Sequence, residues 1–258
     1  MNDPVLIQQH GNILEVALNR PDVYNALDLD MMQRLGDILA SAAVDSSLKG
    51  ILITGRGKAF CAGGDLKWIS QQTDEAGSVL HRLAPQFHLC IMEIHRMKKP
   101  VVAAINGIAA GGGFSLALAC DFRVMAESAV LRQAYTSSGL SIDGGGSFAL
   151  PRLVGLARAM EIMAFDQPIS SARALDWGLI TRVVPDENVL PEALGMLEQL
   201  GRTSMQSFAW SKKLITDSFN HTLETQLELE RRGISDCAAH PDGQEGIRAF
   251  VEKRKPVF

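Results

Sequence analysis

The sequence lacks the cysteine pattern that a disulfide framework or a zinc site would require. Four cysteines occur in 258 residues, and no two of them form a CxxC pair. Secreted disulfide-rich domains and structural metal sites depend on closely spaced cysteines. The absence of such a pattern argues against both classes. We expect reduced, mostly buried thiols at these positions: Cys61, Cys90, Cys120 and Cys237.

Excess positive charge and long apolar runs are also missing. The formal net charge is −4, which offers no electrostatic attraction to nucleic acid or to an anionic membrane. The longest apolar stretch, residues 101–120, is interrupted by Asn106 and by glycines, so it is a poor membrane span. The opening MNDPVLIQQHGN has no basic segment followed by an apolar one. We therefore predict a cytoplasmic protein without a signal peptide.

What the chain does contain is a repeated order of strand, glycine-bearing loop and helix. Alternation around Gly11 predicts a hairpin, and apolar spacing predicts helices over residues 25–44 and 85–97. Three buried strands are predicted at 49–55, 100–109 and 122–127, and from about residue 150 the pattern is helical, with helices at 205–219, 223–232 and 241–253. We predict an α/β core over residues 1–190 and a helical region over residues 191–258.

Two glycine-rich loops each follow a predicted strand and open a predicted helix. The first is FCAGGDLK, residues 60–67, and the second is AAGGGFSL, residues 109–116. The first N–H groups of a helix lack partners within it and carry partial positive charge, and glycine lets a ligand approach them. Two such ends facing each other suit one oxygen atom that acquires negative charge, rather than a whole phosphate.

Several motifs resemble those of the crotonase (enoyl-CoA hydratase/isomerase) superfamily. They are LNRPDVYNALD, AFCAGGDLK, KPVVAAINGIAAGGGFSLALACD, GLSIDGGGSFALPRLVG and RAFVEKRKP, and together they span nearly the whole chain. The resemblance implies a spiral of ββα units with a helical C-terminal trimerisation region, and trimers that often pair into hexamers. It also implies an acyl-CoA substrate, with coenzyme A as part of the substrate and no separate cofactor.

The same resemblance implies the roles of particular residues. The backbone N–H groups of Gly64 and Gly112 would form an oxyanion hole for the thioester carbonyl. The remaining positions implied in substrate binding are Ala26, Lys58, Ala62, Lys67, His88, Ser115, Tyr135, Phe250 and Lys253. Of these, Lys58 and Lys67 match contacts to the CoA phosphates or ribose, and Ala26 matches the backbone that holds adenine. Phe250 and Lys253 match a C-terminal helix that reaches a neighbouring subunit's site.

The chain departs from the hydratases of this family at both catalytic glutamates. Those enzymes use two glutamates to hold and activate water, and the matching positions here are Ser115 and Tyr135. Neither hydroxyl group is a suitable general base near neutral pH. The departure therefore argues against a two-glutamate hydration mechanism.

One acidic residue, Asp143, lies in the SIDGGGS part of the motif that follows Tyr135. Other family members place a catalytic aspartate here, and the motif is closest to the aspartate-dependent enoyl-CoA isomerases of phenylacetate-type pathways. We expect apolar and small neighbours to dehydrate Asp143, raise its pKa and make it a usable base. A single carboxylate suffices to move a double bond, so isomerisation is preferred to hydration. In isolation, Asp143 also fits a plain Asp-Gly turn.

Three alternatives remain open beside the isomerase. A hydratase-type reaction is one, and a non-catalytic acyl-CoA binder is another. The third is an aryl-CoA reaction like that of chlorobenzoyl-CoA dehalogenase, in which the aspartate attacks the ring and a histidine at the position of His88 activates water. That enzyme has tryptophan where this chain has Tyr135.

The histidines at 81, 88 and 95 recur every seven residues. On a helix this spacing corresponds to ~10.5 Å, too far for two of them to bind one ion, so we predict no metal site.

Overall fold

Two adjacent sheets carry the strands of the fold. The computed structural model describes residues 3–258. Its strands are β1 Val5–His10, β2 Ile13–Leu18, β3 Gly50–Gly55, β4 Ala59–Cys61, β5 Val101–Ile105, β6 Ile108–Ala110, β7 Phe122–Ala126, β8 Val130–Arg132, β9 Ile169–Ser170 and β10 Arg182–Val184. The larger sheet has the order β1-β2-β3-β5-β7-β10, and the smaller one has the order β4-β6-β8-β9.

Helices follow the strands and cover the sheets. They are α1 Leu29–Val44, α2 Leu66–Ser70, α3 Ala76–Arg96, α4 Gly112–Ala119, α5 Gly146–Phe165, α6 Ser171–Asp176, α7 Val189–Gly201, α8 Met205–Asp217, α9 Leu223–Ala239 and α10 Pro241–Val251. Three successive chain segments each give one strand to the large sheet, the next strand to the small sheet, and then a helix: β3-β4-α2, β5-β6-α4 and β7-β8-α5. This repeat confirms the predicted α/β class and its ββα order.

Burial on both faces explains the composition of the central strands. Strands β2, β3, β5, β7 and β10 are parallel, whereas β1 and β2 form the predicted antiparallel hairpin. All residues of β3 and β5 are buried, so GILITG and VVAAI read as continuous apolar runs rather than alternating ones.

The predicted strand over residues 100–109 is two strands in two sheets. It breaks at Asn106 and Gly107, after β5 and before β6. The Asn106 side chain accepts a hydrogen bond from the Gly55 N–H and donates one to the Gly57 carbonyl. These bonds turn the chain from one sheet to the other, and apolar composition alone did not reveal the turn.

The first helix begins four residues later than the predicted start at Asn25. Asn25 is buried with φ +56, and its amide donates to the carbonyls of Arg56 and Ala59. Asp28 instead caps α1, because its carboxylate accepts from the Met31 N–H. Long-range hydrogen bonds therefore hold residue 25 outside the helix.

The third helix begins nine residues earlier than the predicted start at residue 85. Pro85 lies inside α3, where proline removes one backbone donor and is normally disfavoured. The buried residues of α3 recur at helical spacing on both sides of it: Val79, Leu83, Phe87, Cys90 and Ile94. This continuous apolar face outweighs the local cost of proline.

The C-terminal part is helical, with two exceptions and several shifted ends. Strands β9 and β10 interrupt the predicted helical pattern, and β10 extends the large sheet beside β7. Helix α9 runs to Ala239 rather than to residue 232, whereas α8 and α10 each end two residues earlier than predicted. Helix α7 packs against β3, β5 and β7. The division into units at residue 190 stays a prediction.

A buried ion pair attaches α8 to the core. The Lys212 ammonium lies 2.8 Å from Asp121 Oδ2 and donates to the Ile94 carbonyl at the end of α3. Asp121 Oδ2 also accepts from the Val101 N–H, where β5 begins. Burial raises the pKa of Asp121, and the positive charge of Lys212 opposes that shift. One lysine thus links three elements of the fold.

Among residues 3–258, no helix combines the length and the apolar character needed to cross a bilayer.

We predict that Lys212→Met lowers the free energy of unfolding by about 3–5 kcal/mol, because it leaves Asp121 buried without its partner. The adjacent Lys213→Met is the matched control, since Lys213 forms an exposed pair with Asp217 and should change stability by about 0–1 kcal/mol. Denaturant unfolding at one protein concentration measures both. Equal losses for the two variants would show that the buried pair does not anchor α8.

Candidate active site

The ends of two neighbouring strands bring the glycine loops together. Strands β4 and β6 are parallel, with Cys61 paired to Ala109, so the loops after them leave the same edge of the small sheet. Gly63 has φ +98, and a Cβ atom there would lie 3.0 Å from the Gly112 nitrogen and 2.9 Å from the Ala110 carbonyl oxygen. Glycine at this position therefore permits the close approach of the two loops.

The backbone N–H groups of Gly64 and Gly112 are available to a ligand. Within residues 3–258, neither donates a hydrogen bond, although an adjacent residue of each does: Asp65 N–H to the Leu27 carbonyl and Gly111 N–H to the Arg132 carbonyl. Both glycines line one cavity. Two free donors beside one cavity are the arrangement that an oxyanion hole requires.

This cavity has a volume of about 290 Å³ and a mostly apolar wall. Five segments supply its lining: the loop before α1 with the start of that helix, the first glycine loop with α2, helix α3, the second glycine loop at Gly111 and Gly112, and the segment from Ala134 to Asp143. The apolar side chains are Leu27, Met32, Leu66, Ile69, Leu80, Leu83, Ala84, Phe87 and Leu140. Such a wall suits the hydrocarbon part of an acyl group.

Asp143 occupies the first position of a tight turn at the rim of the cavity. Its carbonyl oxygen accepts from the Gly146 N–H at 3.1 Å, and Gly144 and Gly145 have φ of +61 and +73. Positive φ at both central residues defines a type I′ turn, which glycine adopts without strain. The turn leads directly into α5 and places the Asp143 side chain in the cavity lining.

Helix α3 brings His88 to Asp143. His88 Nε2 lies 2.6 Å from Asp143 Oδ1, a hydrogen bond between residues 55 positions apart. The two side chains are 46% and 41% exposed. The expected dehydration of Asp143 is therefore wrong for the single chain, because the neighbouring segment over residues 136–141 itself lies largely at the surface. One carboxylate oxygen is engaged by His88, and the other remains for a substrate.

The two residues at the hydratase glutamate positions form a buried hydroxyl pair. Ser115 Oγ and the Tyr135 hydroxyl oxygen lie 3.1 Å apart. Both also contact the Asp143 carbonyl oxygen, Ser115 at 2.6 Å and Tyr135 at 3.2 Å. Burial raises the pKa of Tyr135 to about 12, so it remains a neutral phenol near neutral pH. Neither residue offers a carboxylate for water activation.

The cavity brings together part of the predicted site. Gly64, Gly112, Ala62, Tyr135 and Asp143 line it directly. His88 and Ser115 join it through their hydrogen bonds to Asp143.

Other predicted residues lie outside the cavity lining. Lys58 and Lys67 are exposed, and Phe250 and Lys253 are exposed at the end of the chain's last helix. The Ala26 N–H donates to the Val23 carbonyl, and its own carbonyl accepts from Arg20. A second lone pair of that carbonyl remains for a ligand, so the contact of the Ala26 backbone with adenine stays a prediction.

The first half of α3 supplies lining residues that sequence reasoning missed. Leu80 and Ala84 lie in the part of α3 that precedes Pro85. The apolar spacing of Val79, Leu83 and Phe87 was the available signal, since it continues through the proline.

Within residues 3–258, no group of three or more His, Cys, Asp or Glu side chains could hold a metal ion.

Comparison with known proteins decides the family. The family model "Enoyl-CoA hydratase/isomerase" matches residues 8–258. The chain belongs to the enoyl-CoA hydratase/isomerase family. Within this family it is 33% identical to 1,2-epoxyphenylacetyl-CoA isomerase from Escherichia coli (strain K12), over 100% of the chain and 99% of that protein. It is 37% identical to a probable enoyl-CoA hydratase from Rhodobacter capsulatus, over 94% and 93% of the two chains.

A solved structure agrees with this membership of the enoyl-CoA hydratase/isomerase family. The crystal structure of an enoyl-CoA hydratase from Polaromonas sp. JS666 superposes with a TM-score of 0.93 at 38% identity, covering 98% of each chain. The predicted crotonase fold is thereby confirmed. The names of these relatives include both a hydratase and an isomerase, so membership alone leaves the reaction open.

We predict that Gly144→Ala destabilises the chain more than Gly139→Ala. Both residues have positive φ, so each alanine costs about 1–2 kcal/mol of backbone strain. At Gly144, however, the Cβ would lie 2.1 Å from Cε1 of buried Phe87, whereas nothing lies within 4 Å at Gly139. Overpacking should add about 1–3 kcal/mol at Gly144, measured by denaturant unfolding. Equal losses would mean that Phe87 does not support the Asp143 turn.

Proposed function

We propose that the protein moves a carbon–carbon double bond within an unsaturated acyl-CoA thioester, with Asp143 as the proton-transfer group. The observation that carries this proposal is the composition of the cavity lining. Among the described residues that line it, Asp143 is the one carboxylate, and the free N–H groups of Gly64 and Gly112 share the same space. A base and a pair of oxyanion donors are the parts that enolate chemistry requires.

The proposed reaction proceeds through a dienolate. The thioester oxygen accepts hydrogen bonds from Gly64 and Gly112, and the free oxygen of Asp143 removes a proton from the α carbon of a β,γ-unsaturated substrate. The electron pair of the broken C–H bond is delocalised over the double bond and the thioester carbonyl, so negative charge develops on the thioester oxygen. Asp143 returns the proton to the γ carbon, and the product is the α,β-unsaturated thioester. Each oxyanion donor contributes about 2.7–4 kcal/mol, and the base about 10²–10⁴-fold in rate.

The hydroxyl pair supports isomerisation over hydration. Adding water needs one group that orients the nucleophile and another that moves its proton. Ser115 and Tyr135 stand where hydratases carry their glutamates, and both hydroxyls are bonded to each other and to backbone. A transfer that carries one proton between two carbons needs a single carboxylate.

The contact between His88 and Asp143 favours a second candidate, an aryl-CoA reaction. There the Asp143 carboxylate attacks a ring carbon and displaces its leaving group, and His88 activates a water that cleaves the resulting ester. The 2.6 Å contact between the side chains provides the neighbouring base that this alternative requires. The name of the Escherichia coli relative, an epoxyphenylacetyl-CoA isomerase, makes ring-bearing acyl groups a test class for the first candidate also.

The remaining substrate contacts are proposed at the surface and between subunits. Lys58 and Lys67 would meet the CoA phosphates or ribose, as exposed cations can. Phe250 and Lys253 would reach the site of a neighbouring copy, because they lie outside the cavity of their own chain. The Phe250 side chain is 84% exposed, which leaves a large apolar surface that a partner copy would cover.

We predict that Asp143→Asn lowers isomerase activity on β,γ-enoyl-CoA thioesters by about 10²–10⁴-fold, because asparagine keeps the volume but cannot accept the proton. Binding of a saturated acyl-CoA should be nearly unchanged. Solvent deuterium should enter the α or γ carbon with the wild type and not with the variant. Asp176→Asn, an exposed aspartate at the end of α6, is the matched control and should behave as wild type.

The outcomes of that assay separate the candidates. Normal isomerisation by Asp143→Asn would remove Asp143 from the mechanism. Hydration of crotonyl-CoA at ordinary rates would reveal a water-activating pair, and halide release dependent on both Asp143 and His88 would establish the aryl-CoA reaction. A wild type that binds acyl-CoA but turns over no enoyl or aryl thioester would be a non-catalytic binder.

We predict a homotrimer or a dimer of trimers in solution. Helices α8 to α10 and the residues that follow them expose apolar side chains that water disfavours, including Phe219, Leu223, Ile234, Phe250 and Val251. Light scattering coupled to size exclusion measures the mass directly. A stable monomer at micromolar concentration would overturn the prediction and the proposed intersubunit role of Phe250.

A further inference from the structure

We infer that Ser115 and Tyr135 are positioning residues, whose hydroxyls hold the Asp143 carbonyl and thereby aim the Asp143 carboxylate into the cavity. This inference rests on the proposed function, because it concerns the same base. It assigns a role to two side chains that the proton transfer itself does not use.

The Asp143 carbonyl oxygen is unusually heavily engaged. It accepts from the Gly146 N–H at 3.1 Å, from Ser115 Oγ at 2.6 Å and contacts the Tyr135 hydroxyl at 3.2 Å. A carbonyl oxygen has two lone pairs, so three contacts occupy its capacity fully. The Gly146 bond closes the turn, and the two hydroxyls attach that turn to α4 and to the segment before α5.

The turn needs such an attachment because it is made of glycine. Gly144, Gly145 and Gly146 follow Asp143 directly, and glycine has the greatest backbone freedom of any residue. Fixing the carbonyl of residue 143 fixes the peptide plane that follows its Cα, and the backbone conformation in turn restricts the rotamers open to the side chain. The contact of His88 with the carboxylate acts on an exposed pair, so it constrains less than two buried bonds.

The count of protons makes Ser115 the main contact. Two hydroxyl protons serve three contacts, so they cannot all be hydrogen bonds at once. The short contact from Ser115 to the carbonyl holds one proton. Tyr135 then donates either to Ser115 Oγ or to the carbonyl itself. In the first arrangement Tyr135 orients Ser115, and in the second it holds the Asp143 carbonyl directly.

Both hydroxyls are isolated from water, so no solvent molecule would replace them without rearrangement. Ser115 is 1% exposed and Tyr135 is 9% exposed. The ring of Tyr135 lines the cavity, but its hydroxyl is directed to Ser115 and the Asp143 carbonyl. Removing either oxygen therefore leaves the turn less constrained while the apolar wall stays in place.

The test compares Ser115→Ala and Tyr135→Phe in the full-length protein. Misplacement of a reacting group by about 1 Å costs roughly 10²-fold. We expect Ser115→Ala to lower kcat by about 10–100-fold and Tyr135→Phe by less, with the affinity for a saturated acyl-CoA unchanged. Their combined effect should be smaller than the product of the single effects, because the hydroxyls act as a unit.

A buried serine elsewhere gives the matched control. Ser171 Oγ donates to the Glu127 carbonyl at 2.7 Å, and Ser171 is 6% exposed. Ser171→Ala thus removes the same kind of buried hydrogen bond away from the cavity. It should lower the free energy of unfolding to a similar extent as Ser115→Ala, without lowering kcat. Loss of kcat in both variants would mean that destabilisation alone explains the effect.

A double-mutant cycle separates positioning from a purely structural role. If Ser115 acts through Asp143, then adding Ser115→Ala to Asp143→Asn should cost no further activity. A full additional loss would overturn the inference, and so would a Ser115→Ala enzyme with wild-type kcat. If Asp143→Asn alone retains full activity, it is the proposed function that fails. Where Ser115→Ala does not fold, Tyr135→Phe, which removes one oxygen atom, carries the same cycle.

Discussion

The parallel pairing of β4 with β6 is the constraint on which the site depends. Because the two strands end side by side, the loops that follow them lie next to each other at one edge of the small sheet. The approach is close enough that a single methyl group at Gly63 would contact the Gly112 nitrogen. Because backbone rather than side chains forms this contact, the donors at Gly64 and Gly112 are held by the sheet itself. Preorganised donors of this kind need no rearrangement as charge develops.

A second constraint arises where α3 packs against the turn that carries Asp143. Phe87 is buried between Gly112 and Gly144, and atoms of its ring approach both. One side chain therefore contacts the second glycine loop and the turn of the proposed base. The next residue in the same helix, His88, reaches the carboxylate. The position of α3 thus sets the distance between the donors and the base.

The hydroxyl pair of Ser115 and Tyr135 differs from a pair of carboxylates in more than acidity. A buried carboxylate would require its own hydrogen-bond donors, whereas a serine and a phenol each bring one proton. The Ser115 proton is directed to the Asp143 carbonyl, and the Tyr135 hydroxyl lies within hydrogen-bond distance of that carbonyl and of Ser115 Oγ. The two hydroxyls therefore connect α4 and the segment before α5 to the turn that carries Asp143.

The sequence by itself determined the family, the strands of the large sheet from β1 to β7 with the glycine loops, and the residue types at Ser115 and Tyr135. These features can be predicted because glycine loops appear as runs of glycine and central parallel strands as short continuous apolar segments. Tertiary structure decided what local rules could not. It kept Asn25 out of α1 through its bonds to Arg56 and Ala59, and it carried α3 through Pro85 to bury a continuous apolar face.

The surroundings of Asp143 were also a matter of tertiary structure. Its apolar neighbours in sequence predicted burial, yet the carboxylate lies half-exposed at a rim. Its partners His88 and Ser115 come from α3 and α4, and Tyr135 lies eight residues before it in the chain. Neighbours in sequence determine the turn that a residue adopts, but solvent access and hydrogen-bond partners depend on contacts between distant segments. Only the packing of α3 and α4 against that turn decides them.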